Sequence, residues 1–179
     1  MSNYRRYFNN NNPVFITFVT QNRNEILIDN INILRNSFKF SKIKFKYEVI
    51  GIVILKEHCH ILLSAEDQKD IPQIIRAIKF NFSKNISEEY LTNIELSPSA
   101  KKRGEKGIWQ RRYYDHVIRN KEDLYKHLDY IHYNPTKHYN IAPKNWKYSS
   151  FYKFVKLGIY DSDWCNYDDK NLISQLNYE

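Results

Sequence analysis

The sequence is poor in glycine (4 residues), proline (5) and cysteine (2), and it has one methionine. So little glycine excludes a collagen-like chain, and two cysteines exclude a disulfide scaffold. Cys59 and Cys165 lie far apart and in no paired motif, which fits a reducing compartment. Long apolar runs are also missing. The longest, Val49 to Leu55, falls far short of the roughly 20 residues that cross a bilayer. The N-terminal MSNYRRYFNNNN has no apolar stretch after its arginines, so no signal peptide is expected. Neither an internal repeat nor a linker is visible. What remains, 179 residues with 42% hydrophobic and 27% charged, reads as one soluble, cytoplasmic domain spanning residues 1–179. A chain of this size buries about 70% of its unfolded surface, enough to hold a core without metal or disulfide.

Acidic residues are outnumbered, 20 against 28 Lys and Arg, for a net charge of +8 and a pI near 9.3. That excess favours polyanionic partners. Aromatics reach 16%, with Tyr 15, Phe 10 and Trp 3, more than a core this small requires. Cations mixed with rings suit single-stranded nucleic acid, whose phosphates meet charge and whose bases stack. An AT-rich coding bias toward Asn, Ile and Lys explains part of the same composition.

Hydropathy patterning sets the elements. Pro13 to Thr20 is β-branched and aromatic, a first strand. Leu27, Ile31, Leu34 and Phe38 recur at helical spacing. Tyr47–Leu55 and His58–Ser64 read as a hairpin of two strands. Asp70 opens a helix whose apolar face is Ile71, Ile74, Ile75, Ile78 and Phe82. Residues 87–107 lack periodicity and read as a mobile basic loop. A fourth strand near Ile108–Ile118 precedes a helix from about Lys121 to Asn134, closed by Pro135, and a short helix follows near Ser149–Leu157. The order β-α-β-β-α-β predicts an α+β, ferredoxin-like or RRM-like split βαβ fold: an antiparallel sheet with helices packed on one face, plus a C-terminal helix.

Chemistry concentrates in three places. On a strand, His58 and His60 share a face while Cys59 points oppositely, and two adjacent imidazoles make half a metal site; two surface histidines would look the same. On the helix from Lys121, Leu124, Leu128 and Ile131 form the buried stripe, and Asp123, His127, Tyr130 and Asn134 form a second stripe at its flank. Tyr133 falls on the solvent side. Tyr130 and Asn134 are thus placed to meet groups on the sheet, although a packed Tyr and an Asn near a helix end would give the same pattern. A divalent ion on two imidazoles and an amide oxygen would keep open positions for phosphate, and Tyr130 would attack. Thirdly, Lys101, Lys102, Arg103 and Lys106 lead into Trp109-Gln110-Arg111-Arg112-Tyr113-Tyr114, cations interleaved with rings that suit a DNA strand. Arg5 and Arg6 are further candidates for DNA contact.

These segments resemble one family. Tyr4-Arg5-Arg6-Tyr7, Thr20-Gln21-Asn22-Arg23, His58-Cys59-His60, WQRRYYDHVIRNKEDLYKHLDYIHYNP (109–135) and Trp146-Lys147-Tyr148-Ser149-Ser150-Phe151 are similar, in this order, to the HUH single-tyrosine transposases of the REP-associated branch. The resemblance covers about residues 4–164. It implies that His58, His60 and Asn134 hold Mg²⁺ or Mn²⁺ and that Tyr130 is the nucleophile. It also implies cleavage of single-stranded DNA beside hairpins of palindromic repeats, with a 5′-phosphotyrosine intermediate, by a monomer or homodimer in the bacterial nucleoid. Imidazole pairs themselves suit Mn²⁺ or Zn²⁺ better than Mg²⁺. Two departures stand out: Lys56-Glu57 where the family has Pro-Asn or Pro-Asp, and the small Cys59 between the histidines. Three other readings share the sequence: a non-catalytic nucleic-acid-binding module, an HUH replication initiator or relaxase, and a metal hydrolase without covalent catalysis.

Overall fold

The β-branched and aromatic runs form a four-stranded sheet, seen in a computed structural model that describes residues 12–91, 96 and 98–165. The strands are β1 (Val14–Val19), β2 (Tyr47–Ile54), β3 (His58–Ala65) and β4 (Tyr114–Val117). The helices are α1 (Ile31–Lys44), α2 (Ile71–Asn85), the short α3 (Pro98–Lys102), α4 (Lys121–Tyr139) and α5 (Phe151–Lys156). Spatial order is β2-β3-β1-β4, antiparallel throughout. The α+β, split βαβ class expected from the sequence is the one observed.

Strand alternation divides the core in two. Val14, Ile16, Phe18, Cys59, Ile61 and Leu63 point to one face, under α1 and α2, where all five predicted apolar residues of α2 are buried. Phe15, Val53, Leu55 and Leu62 point to the other face, against Leu128, Tyr130 and Ile131 of α4 and Phe151 and Phe154 of α5. Helices therefore cover both faces. The expectation of one covered face holds for α1 and α2, while α4 occupies the side to which His58 and His60 project.

Helix α4 runs further than predicted. Asn120 caps its start, its side-chain oxygen accepting the Asp123 N–H at 2.9 Å, and Glu122 and Asp123 suit the positive N-terminal end. Pro135 does not end it. The missing N–H removes the bond to the Ile131 carbonyl, an interior cost of about 3 kcal/mol. Burial of Leu128, Ile131, His132, Asn134 and Pro135 outweighs it. The helix stops at Asn140 instead, whose left-handed φ of 53° ends it with N–H bonds to Pro135 and Thr136.

Three other boundaries move. The fourth strand shrinks to Tyr114–Val117, because Trp109 makes one bridge to Thr20 and turns its ring onto Phe18 and Phe82. The expected loop over 87–107 contains α3, and Arg103 is held there by Glu105 at 2.6 Å. Helix α1 starts at Ile31, with Leu27 buried in the turn before it. No helix among the described residues is long and apolar enough to cross a membrane.

Gly51, beside an irregularity in the β2–β3 register, lets α4 approach the sheet. A Cβ there would stand 2.7 Å from Leu128 Cδ2. Replacing Gly51 by alanine gains up to about 1 kcal/mol from a stiffer unfolded chain but overpacks a buried contact at a cost of about 1–3 kcal/mol. The net expectation is a lower midpoint in thermal unfolding; an unchanged or raised midpoint would mean that α4 is not seated on this glycine.

Candidate active site

Strand β3 places His58 and His60 on the α4 side and Cys59 in the opposite core, as the alternation requires. Both histidines are buried, at 1% and 0% exposure. Their Nε2 atoms face each other at 3.1 Å. Two ring nitrogens this close must share a proton or a cation, and both can lie about 2.1 Å from one ion.

Each imidazole is held from behind. His60 Nδ1 lies 2.7 Å from the Thr17 hydroxyl on the neighbouring β1. His58 Nδ1 donates to Glu57 Oε1 at 2.8 Å. Burial works to raise the Glu57 pKa. The His58 hydrogen bond and charge, with the Tyr139 hydroxyl at 3.2 Å, outweigh it and bring the carboxyl to about 2. Arg23 adds a 3.5 Å ion pair. Such outer partners set the tautomer and orientation of metal-binding imidazoles. The Lys56-Glu57 departure thus has a local account: Glu57 orients His58, and Lys56 pairs with Glu25 at 3.1 Å. Cys59 fills a core position, where burial first and then the Glu57 charge push its thiol well up. His60 is kept neutral chiefly by burial, with positive charge at His58, His138 and Lys137 acting the same way. With Nδ1–H directed to the Thr17 hydroxyl, the lone pair of the neutral ring lies on Nε2, towards His58.

Helix α4 supplies the rest. Asn134 donates Nδ2–H to the Tyr130 carbonyl at 2.7 Å, which leaves Oδ1 to the His60 side, where it favours that imidazole's protonated form. This oxygen is buried, and no well-formed hydrogen bond engages it among the described residues. Two imidazole nitrogens and one buried amide oxygen are a donor set that fits a divalent ion of the Mn²⁺ or Zn²⁺ type. The Tyr130 ring packs edge-on to His60 at 5.0 Å and to Phe15 at 5.9 Å. Tyr130 is fully buried. The structure therefore brings His58, His60, Tyr130 and Asn134 together. Tyr133 is half-buried rather than on the solvent side, and Asp123 and His127 turn to His116 of β4 instead.

Lys137, which the sequence pattern sets with Tyr133 away from the site, and His138, which it does not single out, also stand here. Lys137 Nζ stands 5.3 Å over the Tyr130 ring, and the His138 ring lies 5.1 Å from that of His58. Both lie beyond Pro135. Had the helical period been carried through that proline, they would have fallen on the stripe of Tyr130 and Asn134.

The basic segment is divided. Lys101, Lys102, Arg103, Lys106, Arg111 and Arg112 are exposed. Trp109 and Tyr113 are half-buried against the α2 side of the core, and the Trp109 indole donates to the Lys79 carbonyl at 3.2 Å. Tyr114, 45% exposed, is the more open ring, and it stands across Thr17 from His60. Gln110 N–H binds the Val19 carbonyl at 2.9 Å, and Val19 pairs with His58, so Arg111 and Arg112 leave the sheet near its histidine end. Arg5 and Arg6 lie outside the described residues.

With this geometry in place, relatives are informative. The family profile described as "Transposase IS200 like" matches residues 10–134. A Haemophilus influenzae protein provisionally named a REP-associated tyrosine transposase is 40% identical over 167 residues, 92% of this chain and 93% of that protein. The REP-associated tyrosine transposase of Escherichia coli K12 is 32% identical over 167 residues, 92% of this chain and 91% of its own. Among solved structures, a REP-associated tyrosine transposase bound to a REP hairpin aligns with a TM-score of 0.75 and 30% identity, over 93% of both chains. Profile, near full-length relatives and shared fold agree: this chain belongs to the IS200-like transposase family, within its REP-associated tyrosine transposase branch.

Proposed function

We propose that this single-domain chain is a divalent-metal-dependent endonuclease and strand transferase for single-stranded DNA, cutting beside palindromic repeat hairpins through a 5′-phosphotyrosine link. The observation that carries the reading is the meeting of His58, His60, Asn134 and Tyr130 from β3 and α4. The hairpin substrate is taken from the solved relative bound to a REP hairpin.

His58, His60 and Asn134 would hold Mg²⁺ or Mn²⁺, which when bound supplies Lewis-acid polarisation of the scissile phosphate. The Tyr130 hydroxyl oxygen attacks phosphorus and loses its proton. The bond from phosphorus to the 3′ oxygen breaks, and that oxygen leaves as a free 3′-OH. The phosphodiester energy is conserved in the tyrosyl ester, so attack by a 3′-OH rejoins DNA. Because Tyr130 is fully buried, its ring must swing out, or α4 must shift, before a phosphodiester can reach it. Lys137 is placed to meet the phosphate charge as it arrives. Glu57 and Thr17 hold the imidazoles in register.

The direct test is incubation with Mn²⁺ and labelled repeat-hairpin oligonucleotides, followed by denaturing electrophoresis. A detergent-stable adduct is expected. Binding with no adduct would favour the non-catalytic binder, which the exposed Tyr114 and the basic segment also suit.

The exposed cations carry a separate expectation. Neutralising Arg111 and Arg112 together should weaken single-strand binding and flatten its dependence on salt by about 0.7 units of log–log slope per lost phosphate contact. An unchanged slope in a salt titration would remove both arginines from the DNA grip.

A further inference from the structure

His116, Asp123 and His127 form a second cluster of metal-ligating side chains, where β4 meets the first turns of α4. Pairing of β4 with β1 sets His116 beside Phe15, and Asp123 and His127 stand one turn apart on α4, so donors from two elements converge. One ligand atom from each lies within 4.8 Å of the others. His116 Nε2 is 2.9 Å from Asp123 Oδ2, and His127 Nδ1 is 3.0 Å from Asp123 Oδ1. The two imidazoles stack with centroids 4.6 Å apart.

The carboxylate is positioned by the backbone as well as by these rings. Asp123 Oδ2 accepts the Arg119 N–H at 2.9 Å, and the Asp123 N–H donates to Asn120 Oδ1. An exposed ion pair would account for His116 and Asp123. His127 is fully buried and its Nδ1 also lies 2.8 Å from the Asp123 backbone carbonyl, an acceptor only, so Nδ1 can serve a cation once its proton has moved to Nε2. The Phe15 ring lies between this cluster and the first, 4.8 Å from His127 and 5.6 Å from His60. The two clusters are thus distinct sets of donors.

We propose that His116, Asp123 and His127 bind a second divalent cation, of the zinc class, in this chain. Two imidazole nitrogens and one carboxylate oxygen are the donor set that zinc accepts with a fourth position left for water or an anion. Water or an anion can reach the cluster, since the His116 and Asp123 side chains are 19% and 17% exposed. The bound ion ties the sheet edge to the N-terminal turns of α4, the helix that carries Tyr130 and Asn134.

The test is zinc stoichiometry of the folded full-length chain, measured by titration calorimetry and by elemental analysis after desalting, with circular dichroism to check folding. The unaltered chain should bind two ions, the H58A/H60A double variant one, and His116→Ala one. Binding of none by folded H58A/H60A, or of two by His116→Ala, would overturn the second site. If H58A/H60A does not fold, His116→Ala in the otherwise intact chain decides alone. Because the readout is bound metal and not cleavage, the two sites separate. One ion lost only with His116→Ala keeps this site and sinks the His58–His60 metal. One ion lost only with H58A/H60A does the reverse.

Discussion

Tyr130→Phe should abolish strand cleavage and covalent adduct together, because in a phosphotyrosine mechanism the attack is itself the break. Loss of a nucleophile that acts as one unit with its activating groups lowers the rate on the order of 10⁴-fold or more. The phenylalanine ring retains the packing against Phe15 and His60, so stability should change by no more than about 1 kcal/mol. Fourteen other tyrosines remain as internal controls, from the fifteen in the chain. Tyr133→Phe is the informative one, three residues away on the same helix, and it should stay active. Both variants are to be tested on one hairpin oligonucleotide, with the modified peptide mapped by mass spectrometry. An adduct on Tyr133, or one still formed by Tyr130→Phe, would move the protein toward the replication-initiator reading.

His58→Ala or His60→Ala should remove cleavage at limiting Mn²⁺ while leaving most of the DNA affinity, which comes from phosphate contacts elsewhere. These variants also act on stability, and in a way that identifies the site. Each strips a hydrogen-bonding partner from a buried group, the Glu57 carboxylate or the Thr17 hydroxyl, a cost of about 1–3 kcal/mol where the group stays unsatisfied. For His58→Ala there is a pH signature. Glu57 falls from an ordinary carboxyl value of 4.5 to about 2 in the folded chain, through His58 and Tyr139 acting against burial. A depressed carboxyl stabilises the fold above about pH 4.5, and that contribution is lost as pH falls toward 2. Without His58 the Glu57 pKa rises, so the loss of stability between these values should be shallower than in the unaltered chain. Thermal melts across that window would show it. Full cleavage by either variant would remove the metal pair from the mechanism; an unchanged acid limb would remove the Glu57–His58 link.

Much of this molecule is legible in its local patterns. Strand periodicity alone puts His58 and His60 on one face and Cys59 on the other, and helical periodicity alone puts Ile71, Ile74, Ile75, Ile78 and Phe82 in the core. Alternation and period are properties of the backbone, and burial follows them wherever an element has one apolar side. The stripe of Tyr130 and Asn134 was legible for the same reason, as was the class of fold.

What the sequence did not determine is where competing local and long-range terms meet. Pro135 is a helix breaker by its own chemistry, yet α4 continues to Tyr139 because the stripe before it is buried against the sheet and the half-buried rings of His138 and Tyr139 beyond it pack on His58 and Trp146. That continuation brings Lys137 over Tyr130 and His138 beside His58, and it delivers the Tyr139 hydroxyl to Glu57. Gly51 reads as a weak point in a strand and becomes the seat of Leu128 once α4 is docked. His116 and His127 belong to different elements, so no single period relates them; strand pairing and helix docking bring them to one carboxylate. Spacing along the chain fixes which side chains share a face, but the partner of a face is chosen by packing over long sequence separations, and no local period encodes it.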